Sequence, residues 1–188
     1  LHICDKNLEQ IDPAKITATD NLLVDVCQAA KFEGQSIKHY SAQYDLKYPS
    51  SGSGSTMCTM LARSFADIGD IVRGKDLYLG NKKERARLEE NLQKIFGKIH
   101  DNLVKKKGKE VEERYKGDAP YYYQLREDWW DANRAKVWEA ITCGAENDSQ
   151  YFRPTCGSGK SATRAKDNCR CPSHKVPTYF DYVPQYLR

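Results

Sequence analysis

The sequence predicts an all-α fold: a disulfide-stapled set of helices joined by long irregular loops. Apolar residues recur at helical spacing in four separate stretches, seven cysteines punctuate a chain that is 30% charged, and the intervening segments are rich in Gly, Ser and Pro with neither helical nor strand period. Three Trp, twelve Tyr and five Phe supply core material that a disordered chain lacks, despite a mean hydropathy of -0.78. A length of 188 residues fits one domain with its own core.

The first helix is expected after Thr17 and Asp20, a capping-box pattern, with Leu22, Leu23, Val26, Cys27 and Ala30 on one face. It is expected to run to about Phe32, where Gly34 interrupts it. A loop covers YPSSGSGS, residues 48–55. The second helix carries the stripe Met57, Leu61, Phe65, Ile68 and Val72, with Arg63 and Asp67 spaced for an i,i+4 ion pair, and stops at Gly74. In the third, Leu88, Leu92, Ile95, Ile99 and Leu103 keep the 3.6-residue period from Asn81 to about Lys106, lysines gather at the C-terminal end as the dipole prefers, and Gly108 ends the helix. After a charged segment and a turn at Asp118 to Pro120, Leu125, Trp129, Trp130, Val137, Trp138 and Ile141 stripe a fourth helix that ends near Cys143. Residues 144–178 read as irregular, and TYFDYVPQYLR as the resumption of a helix. No internal repeat is present.

Cys4, Cys27, Cys58, Cys143, Cys156, Cys169 and Cys171 are too many for use as small hydrophobes in so polar a chain, so an oxidising compartment is the expectation. Four of them fall in the weakly hydrophobic stretch 143–171, where disulfides substitute for a core. The odd total leaves a free thiol or one whose partner lies elsewhere, with Cys4 the leading case. No run of about 18 apolar residues occurs, and LHICDKN lacks the basic-then-apolar order of a signal peptide, so targeting and anchoring parts are expected outside this stretch.

The net charge of +4 is too small for a whole-molecule polyanion field, so nucleic acid is not the expected partner and local patches matter. Residues 73–117 hold 14 Lys and Arg against 8 Asp and Glu. Within them Lys82, Lys83, Arg85 and Arg87 open the third helix, and Lys105, Lys106, Lys107 and Lys109 close it. These eight are the candidate ligand-binding residues: an acidic sugar could dock there by screened attraction, while the plainer reading is a solvated helix face. Tyr121, Tyr122 and Tyr123 offer either an exposed recognition platform or packing for the tryptophan helix. Gly157-Ser158-Gly159-Lys160-Ser161 resembles the end of a phosphate-binding loop, but Pro154 stands where the pattern needs Gly and no buried strand precedes it. Cys156, Cys169, Cys171 and His174 are zinc-type ligands in unsuitable spacing, and disulfides account for the sulfurs better. Asn147-Asp148-Ser149 matches the N-glycosylation pattern. No catalytic residues, metal or cofactor are expected.

The segments CQAAKFEGQSI from Cys27, LARSFADIGDIVRGKDLYLG from Leu61, LREDWWDANRAKVWEAITC from Leu125, YFRPTC from Tyr151, CRCP from Cys169 and VPTYFDYVPQYLR from Val176 together resemble the alpha-class Duffy-binding-like domain of the variant erythrocyte membrane proteins of the malaria parasite. The likeness spans nearly the whole chain in order. It implies a helical, disulfide-stapled adhesion domain, not an enzyme, on the extracellular face of the infected red cell, tethered by an anchor outside this chain. Implied partners are host antibodies and a host receptor: a heparan-sulfate-like glycan, a blood-group sugar or a host protein. For the alpha class, rosetting is implied. Residues 1–188 are expected to cover chiefly the central subdomain, the N- and C-terminal subdomains being largely absent. The resemblance also implies that Cys58 pairs with a cysteine near Cys171, and that Cys4 or Cys27 has a partner elsewhere. FADIGDIVRG and DWWDANRAKVW read as scaffold through their apolar stripes, whereas 48–56, 105–118 and 144–168 are polar, loop-like stretches that tolerate change.

Three functions compete: adhesion through a glycan, which weak multivalent contacts can sustain; adhesion to a host protein through aromatic or Arg anchors; and an enzyme resting on the loop at Gly157 alone.

Overall fold

The structure, a computed structural model, describes residues 8, 11–16, 18–47, 53–77 and 82–188. Cys4, Thr17 and most of the 48–56 loop lie outside them. The described helices are α1 (Thr19–Lys47), α2 (Ser53–Arg73), α3 (Lys82–Lys107), α4 (Lys109–Arg114) and α5 (Tyr123–Ile141), followed by 3-10 turns at Gly159–Ser161, Phe180–Tyr182 and Gln185–Leu187. α1, α2 and α5 pack on one another, α3 joins them along α5, and α4 packs on α3.

The apolar stripes do what their period dictates. Trp130 has no exposure and Trp138 only 2%; both rings meet Phe65 of α2, at 5.1 and 5.2 Å between centroids. Phe96 of α3 meets Trp129 edge-on at 6.2 Å, and Leu88, Leu92, Ile95 and Ile99 complete the buried side of α3. Losing one such Trp or Phe costs about 3–5 kcal/mol.

Gly34 does not interrupt α1, which continues to Lys47. The missing side chain serves packing instead: a Cβ there would lie 2.0 Å from the backbone oxygen of Ile141. Glycine lets α1 and the end of α5 touch backbone to backbone. Gly74 does stop α2, at φ +72°, the left-handed C-terminal conformation that glycine adopts without strain. The charged segment after Gly108 forms the short α4, and the Asp118 carboxylate starts α5 by accepting the amides of Gln124 and Leu125, each at 2.9 Å.

Buried polar side chains also tie these helices together. Arg126 of α5 has no solvent exposure. Its Nε donates to the Val72 carbonyl at 2.6 Å and Nη2 to that of Ile71 at 3.2 Å, so it satisfies a carbonyl at the end of α2 and shares that of Ile71 with the Gly74 amide. Both Nη1 and Nη2 grip the Glu89 carboxylate of α3, at 2.6 and 3.0 Å. Arg73, 1% exposed, reaches Asp70 at 2.9 Å and Glu127 at 3.0 Å and donates to the Asp181 carbonyl. Arg134 holds both oxygens of buried Asp181 at 2.7 Å, and Trp130 Nε1 donates to the same carboxylate at 2.9 Å.

Asp181 and its neighbours explain why the tail forms no α-helix. Residues 178–188 lie as a strap across α2, tied by Arg134 to Asp181 and by Gln185 to Asp76 at 2.7 Å, and this path permits only two 3-10 turns. The strap also takes the partner expected for Arg63: Asp67 faces Arg188 at 3.4 Å. Burial is the main cause that pushes the Asp67 carboxyl up to about 6.

Residues 144–178 are irregular but fixed. Cys58 bonds to Cys169 across 111 residues and Cys156 to Cys171 across 15; in the chain-entropy account loops of such lengths contribute about 4.7 and 3 kcal/mol. Cys156 and Thr163 exchange backbone bonds at 2.9 and 2.8 Å. Asp167, Asn168 and Cys169 all have positive φ, at 53°, 61° and 59°. Such backbone costs on the order of 1–3 kcal/mol per residue and persists only where surroundings dictate it. Here the Cys169 amide donates to Ser149, the Asn168 amide to Glu146, and Trp138 Nε1 to the Cys169 carbonyl at 3.2 Å.

Arg126→Ala takes the buried cation from the Glu89 carboxylate and the donor from the Val72 carbonyl, and is expected to cost about 3–5 kcal/mol in urea denaturation. Glu89 is also a pH probe. Burial pushes its carboxyl up, but the hydrogen bonds and charge of Arg126 more than offset this and hold it below its ordinary 4.5. A carboxyl depressed in the folded state contributes stability above its unfolded pKa and loses it as pH falls through the folded one. Stability is therefore expected to drop below about pH 4.5, and Glu89→Gln to make that drop shallower.

Candidate functional site

All eight basic residues singled out from the sequence are exposed, and the structure sorts them into two groups rather than one patch. α3 has 26 residues, so at about 1.5 Å per residue Lys82 to Arg87 and Lys105 to Lys109 lie roughly 30 Å apart along its axis. Of the acidic residues of α3, Glu89 is held by buried Arg126, and exposed Glu90 pairs with Lys94 at 2.6 Å. Arg85 donates to the Leu77 carbonyl at 3.0 Å. It borders, with Lys82, Ile71, Leu92 and Tyr123, a cleft of about 320 Å³ between the end of α2 and the start of α3.

The three tyrosines divide between the two roles the sequence left open. Tyr121 and Tyr123 are each 49% exposed and stack in parallel with centroids 5.4 Å apart. Tyr122, at φ 55°, turns inward and its ring meets His100 at 5.6 Å. Burial is the main cause that raises the Tyr122 phenol above its ordinary range. The stacked pair depends on this alternation at the entry to α5, which a run of identical residues cannot signal.

The remaining motifs resolve as loop architecture. Gly159–Ser161 is a single 3-10 turn after Cys156, with no strand before it and no α-helix after it to build a phosphate cradle. The sulfurs of Cys156, Cys169 and Cys171 are spent in disulfides, and His174 Nδ1 meets Glu139 at 3.2 Å. No cluster of His, Cys, Asp and Glu suited to a metal ion occurs among the described residues. Asn147 is exposed, but Ser149 of the same tripeptide is buried with its Oγ 3.9 Å from Met57 Sδ. Around this loop, Arg153, Lys160, Arg164, Lys166 and Lys175 stand exposed; the sequence reading, intent on the third helix, did not count them.

Fold and surface together define a disulfide-stapled α-helical binding domain. The Duffy binding domain family matches residues 1–188, and the chain belongs to that family. Among solved structures it is similar to the NTS-DBL1(alpha-1) domain of PfEMP1 from the varO strain of Plasmodium falciparum, with 38% identity, a TM-score of 0.76, and coverage of 99% of this chain and 40% of that one. It is also similar to the PfEMP1 IT4var13 DBLbeta domain described as ICAM-1-binding, with 36% identity, a TM-score of 0.70, and coverage of 100% and 39%. The same DBLbeta domain bound to ICAM-1 gives 34% identity, a TM-score of 0.69, and coverage of 99% and 40%. The chain thus spans about two fifths of these domains. Among curated proteins none matches it.

Among the described residues, the two cysteines outside the disulfides differ in exposure. Cys143 is exposed and Cys27 half-buried, and burial, ahead of the charges of Lys136 and Glu139, pushes the Cys27 thiol up. Thiolate is the reacting form, so maleimide labelling without reductant is expected to modify Cys143 first, Cys27 at least about tenfold more slowly, and Cys58, Cys156, Cys169 and Cys171 not at all, as read by peptide mass spectrometry. Rapid labelling of any of the last four contradicts the disulfide map.

Proposed function

We propose that this chain is chiefly the central subdomain of an alpha-class adhesion domain that binds a host receptor from the extracellular face of the infected red cell, in cytoadhesion or rosetting. The observation that carries the reading is the match, over 99% of this chain at 34% identity, to a domain described as bound to ICAM-1. The slightly greater likeness to the alpha-1 domain supports the class. An anchor elsewhere in the protein tethers it, and exposed, variable-looking loops make it a target of host antibodies.

For the contact itself, the two basic clusters favour a heparan-sulfate-like glycan over a blood-group sugar, which offers no comparable negative charge. Both clusters are exposed, Glu89 is paired with buried Arg126 and Glu90 with Lys94 on the surface, and multivalent display turns weak sugar contacts into firm adhesion. A specific observation also favours a protein receptor: the exposed Tyr121–Tyr123 stack has the rigid aromatic character of interface anchors.

The test is retention of the oxidised chain on immobilised heparin across a salt gradient, beside a variant with Lys82, Lys83, Arg85, Arg87, Lys105, Lys106, Lys107 and Lys109 changed to Ser. The wild type is expected to elute at distinctly higher salt, since exposed charges act through screened attraction. Equal elution of the two removes the α3 glycan site and leaves the protein receptor, for which Tyr121→Ser with Tyr123→Ser is the corresponding variant.

A further inference from the structure

The cleft between the end of α2 and the start of α3 has two unlike sides, and burial orders its lining. Ile71, Leu88 and Leu92, each at most 4% exposed, form an apolar floor, the Tyr123 ring stands as one wall, and Lys82 and Arg85 lie exposed at the mouth. We propose that this cleft is a small-molecule site for a compact aromatic carboxylate, its rings on the apolar floor beside Tyr123 and its carboxylate between Lys82 and Arg85. The inference does not rest on the adhesion reading above, although it shares these two cations with the α3 surface.

Lys82 and Arg85 are an i,i+3 pair on α3, so their side chains rise from one face of the helix. Arg85 is anchored, its Nη1 donating to the Leu77 carbonyl at 3.0 Å. The Lys82 amine makes no hydrogen bond or ion pair among the described residues. Two carboxylates also border the cleft, and both have partners. Glu89 is held by Nη1 and Nη2 of Arg126 at 2.6 and 3.0 Å, and Asp76 Oδ1 accepts Gln185 Nε2 at 2.7 Å. The charge of Glu89 is thus matched by Arg126, and the two cations at the mouth outweigh Asp76, so the cleft favours an anion.

The aromatic wall is set before any ligand arrives. Tyr123 is supported by the Tyr121 ring at 5.4 Å and by the Arg126 guanidinium carbon at 5.8 Å, yet it remains 49% exposed. Gly74 lets it sit this close, since a Cβ there would lie 2.9 Å from Tyr123 Cε1 and 3.0 Å from Arg126 Cζ. A wall held in place lowers the ordering cost of binding. The volume, about 320 Å³, falls at the lower end of the range for small-molecule pockets. It is roughly twice that of a cavity of about 150 Å³ that holds one benzene, and so suits two fused rings bearing one carboxylate.

Other ligands match these surfaces less well. A sugar ring carries hydroxyls that need hydrogen-bond partners when buried, and the side chains of Ile71, Leu88 and Leu92 offer none. A flexible acyl chain loses more freedom on binding than a planar ring does and makes no use of stacking on Tyr123. A cationic ligand meets Lys82 and Arg85 directly. An occupant of the proposed class covers both cations and one side of Tyr123, which places it to compete with any larger partner that docks at the start of α3.

The experiment titrates the oxidised 188-residue chain with naphthoate by isothermal calorimetry at neutral pH, beside the neutral naphthylmethanol and the cationic naphthylmethylamine. Lys82→Ser with Arg85→Ser removes the cations, and Ala86→Phe places a ring at an exposed position of the lining while keeping every charge. A control with Lys105→Ser, Lys106→Ser, Lys107→Ser and Lys109→Ser removes more charge at the far end of α3. Each variant is checked for folding by near-UV circular dichroism, and the cation variant alters only exposed side chains, so it decides the matter even if Ala86→Phe perturbs the fold. The wild type is expected to bind naphthoate with a dissociation constant of about 1 mM or tighter, the alcohol at least about tenfold more weakly, and the amine not measurably. The cation variant is expected to lose at least about tenfold, Ala86→Phe to abolish binding, and the control to bind as the wild type does. No binding by the wild type, equal binding of carboxylate and alcohol, or wild-type affinity in the cation variant or in folded Ala86→Phe overturns the proposal. Equal loss in the far-end control also overturns it, since that marks general attraction of an anion to basic surface. None of these outcomes depends on whether the chain binds heparin.

Discussion

Helices α2, α3 and α5 meet around the guanidinium of Arg126. It lies where α2 ends, donating to the Val72 and Ile71 carbonyls, and where α3 passes with Glu89; the Phe96 and Tyr123 rings stand 5.7 and 5.8 Å from its carbon. A buried cation is tolerable only when its donors are occupied and a counter-charge lies close, so this one residue constrains the spacing of three helices at once. Arg73 and Arg134 repeat the device further along, the first joining α2 to α5 and the strap, the second joining α5 to the strap through Asp181. Desolvated ion pairs of this kind add little net stability over an apolar core, but they penalise any arrangement that separates the partners. Here they fix the register of the helices and the path of the tail.

That lattice bears on function by separating what must stay from what can vary. The segments FADIGDIVRG and DWWDANRAKVW hold Arg73, Trp130 and Trp138, all buried, and Arg134, while the basic ends of α3 and the stacked tyrosines stand outside it. Substitutions at those outer positions remove no core contact. Disulfides extend the same division into residues 144–178, where too little apolar surface exists to fix the chain, and so a polar, sequence-tolerant loop can still hold charged side chains in defined positions.

Much of the fold was legible because period and composition are local properties. The stripes from Met57 to Val72, Leu88 to Leu103 and Leu125 to Ile141 placed three helices within a few residues, and Gly74 and Gly108 gave their ends. Gly34 was misread because a glycine that ends a helix and a glycine that admits a neighbouring backbone look the same in sequence; only the position of Ile141 distinguishes them. The tail was misread for a related reason: its apolar residues satisfy a helical pattern, but the bonds from Arg73 and Arg134 to Asp181 impose another path. The basic residues of the candidate surface were visible as a charge count. Their separation along α3 followed from helical rise, whereas the alternation at Tyr121 to Tyr123 did not.

Sequence by itself determined the class of fold, three of the helices and the need for disulfides, since each rests on spacing along one chain, and the likeness of whole segments carried the family. Tertiary structure decided which cysteines pair, which polar side chains are buried, and which charges remain available to a partner. These depend on contacts between residues far apart in sequence, as with Cys58 and Cys169 or Arg134 and Asp181, and such distances are set by packing. Arg126 and Arg164 carry the same charge and the same side chain; one is structural and the other exposed because of what the folded chain places around them.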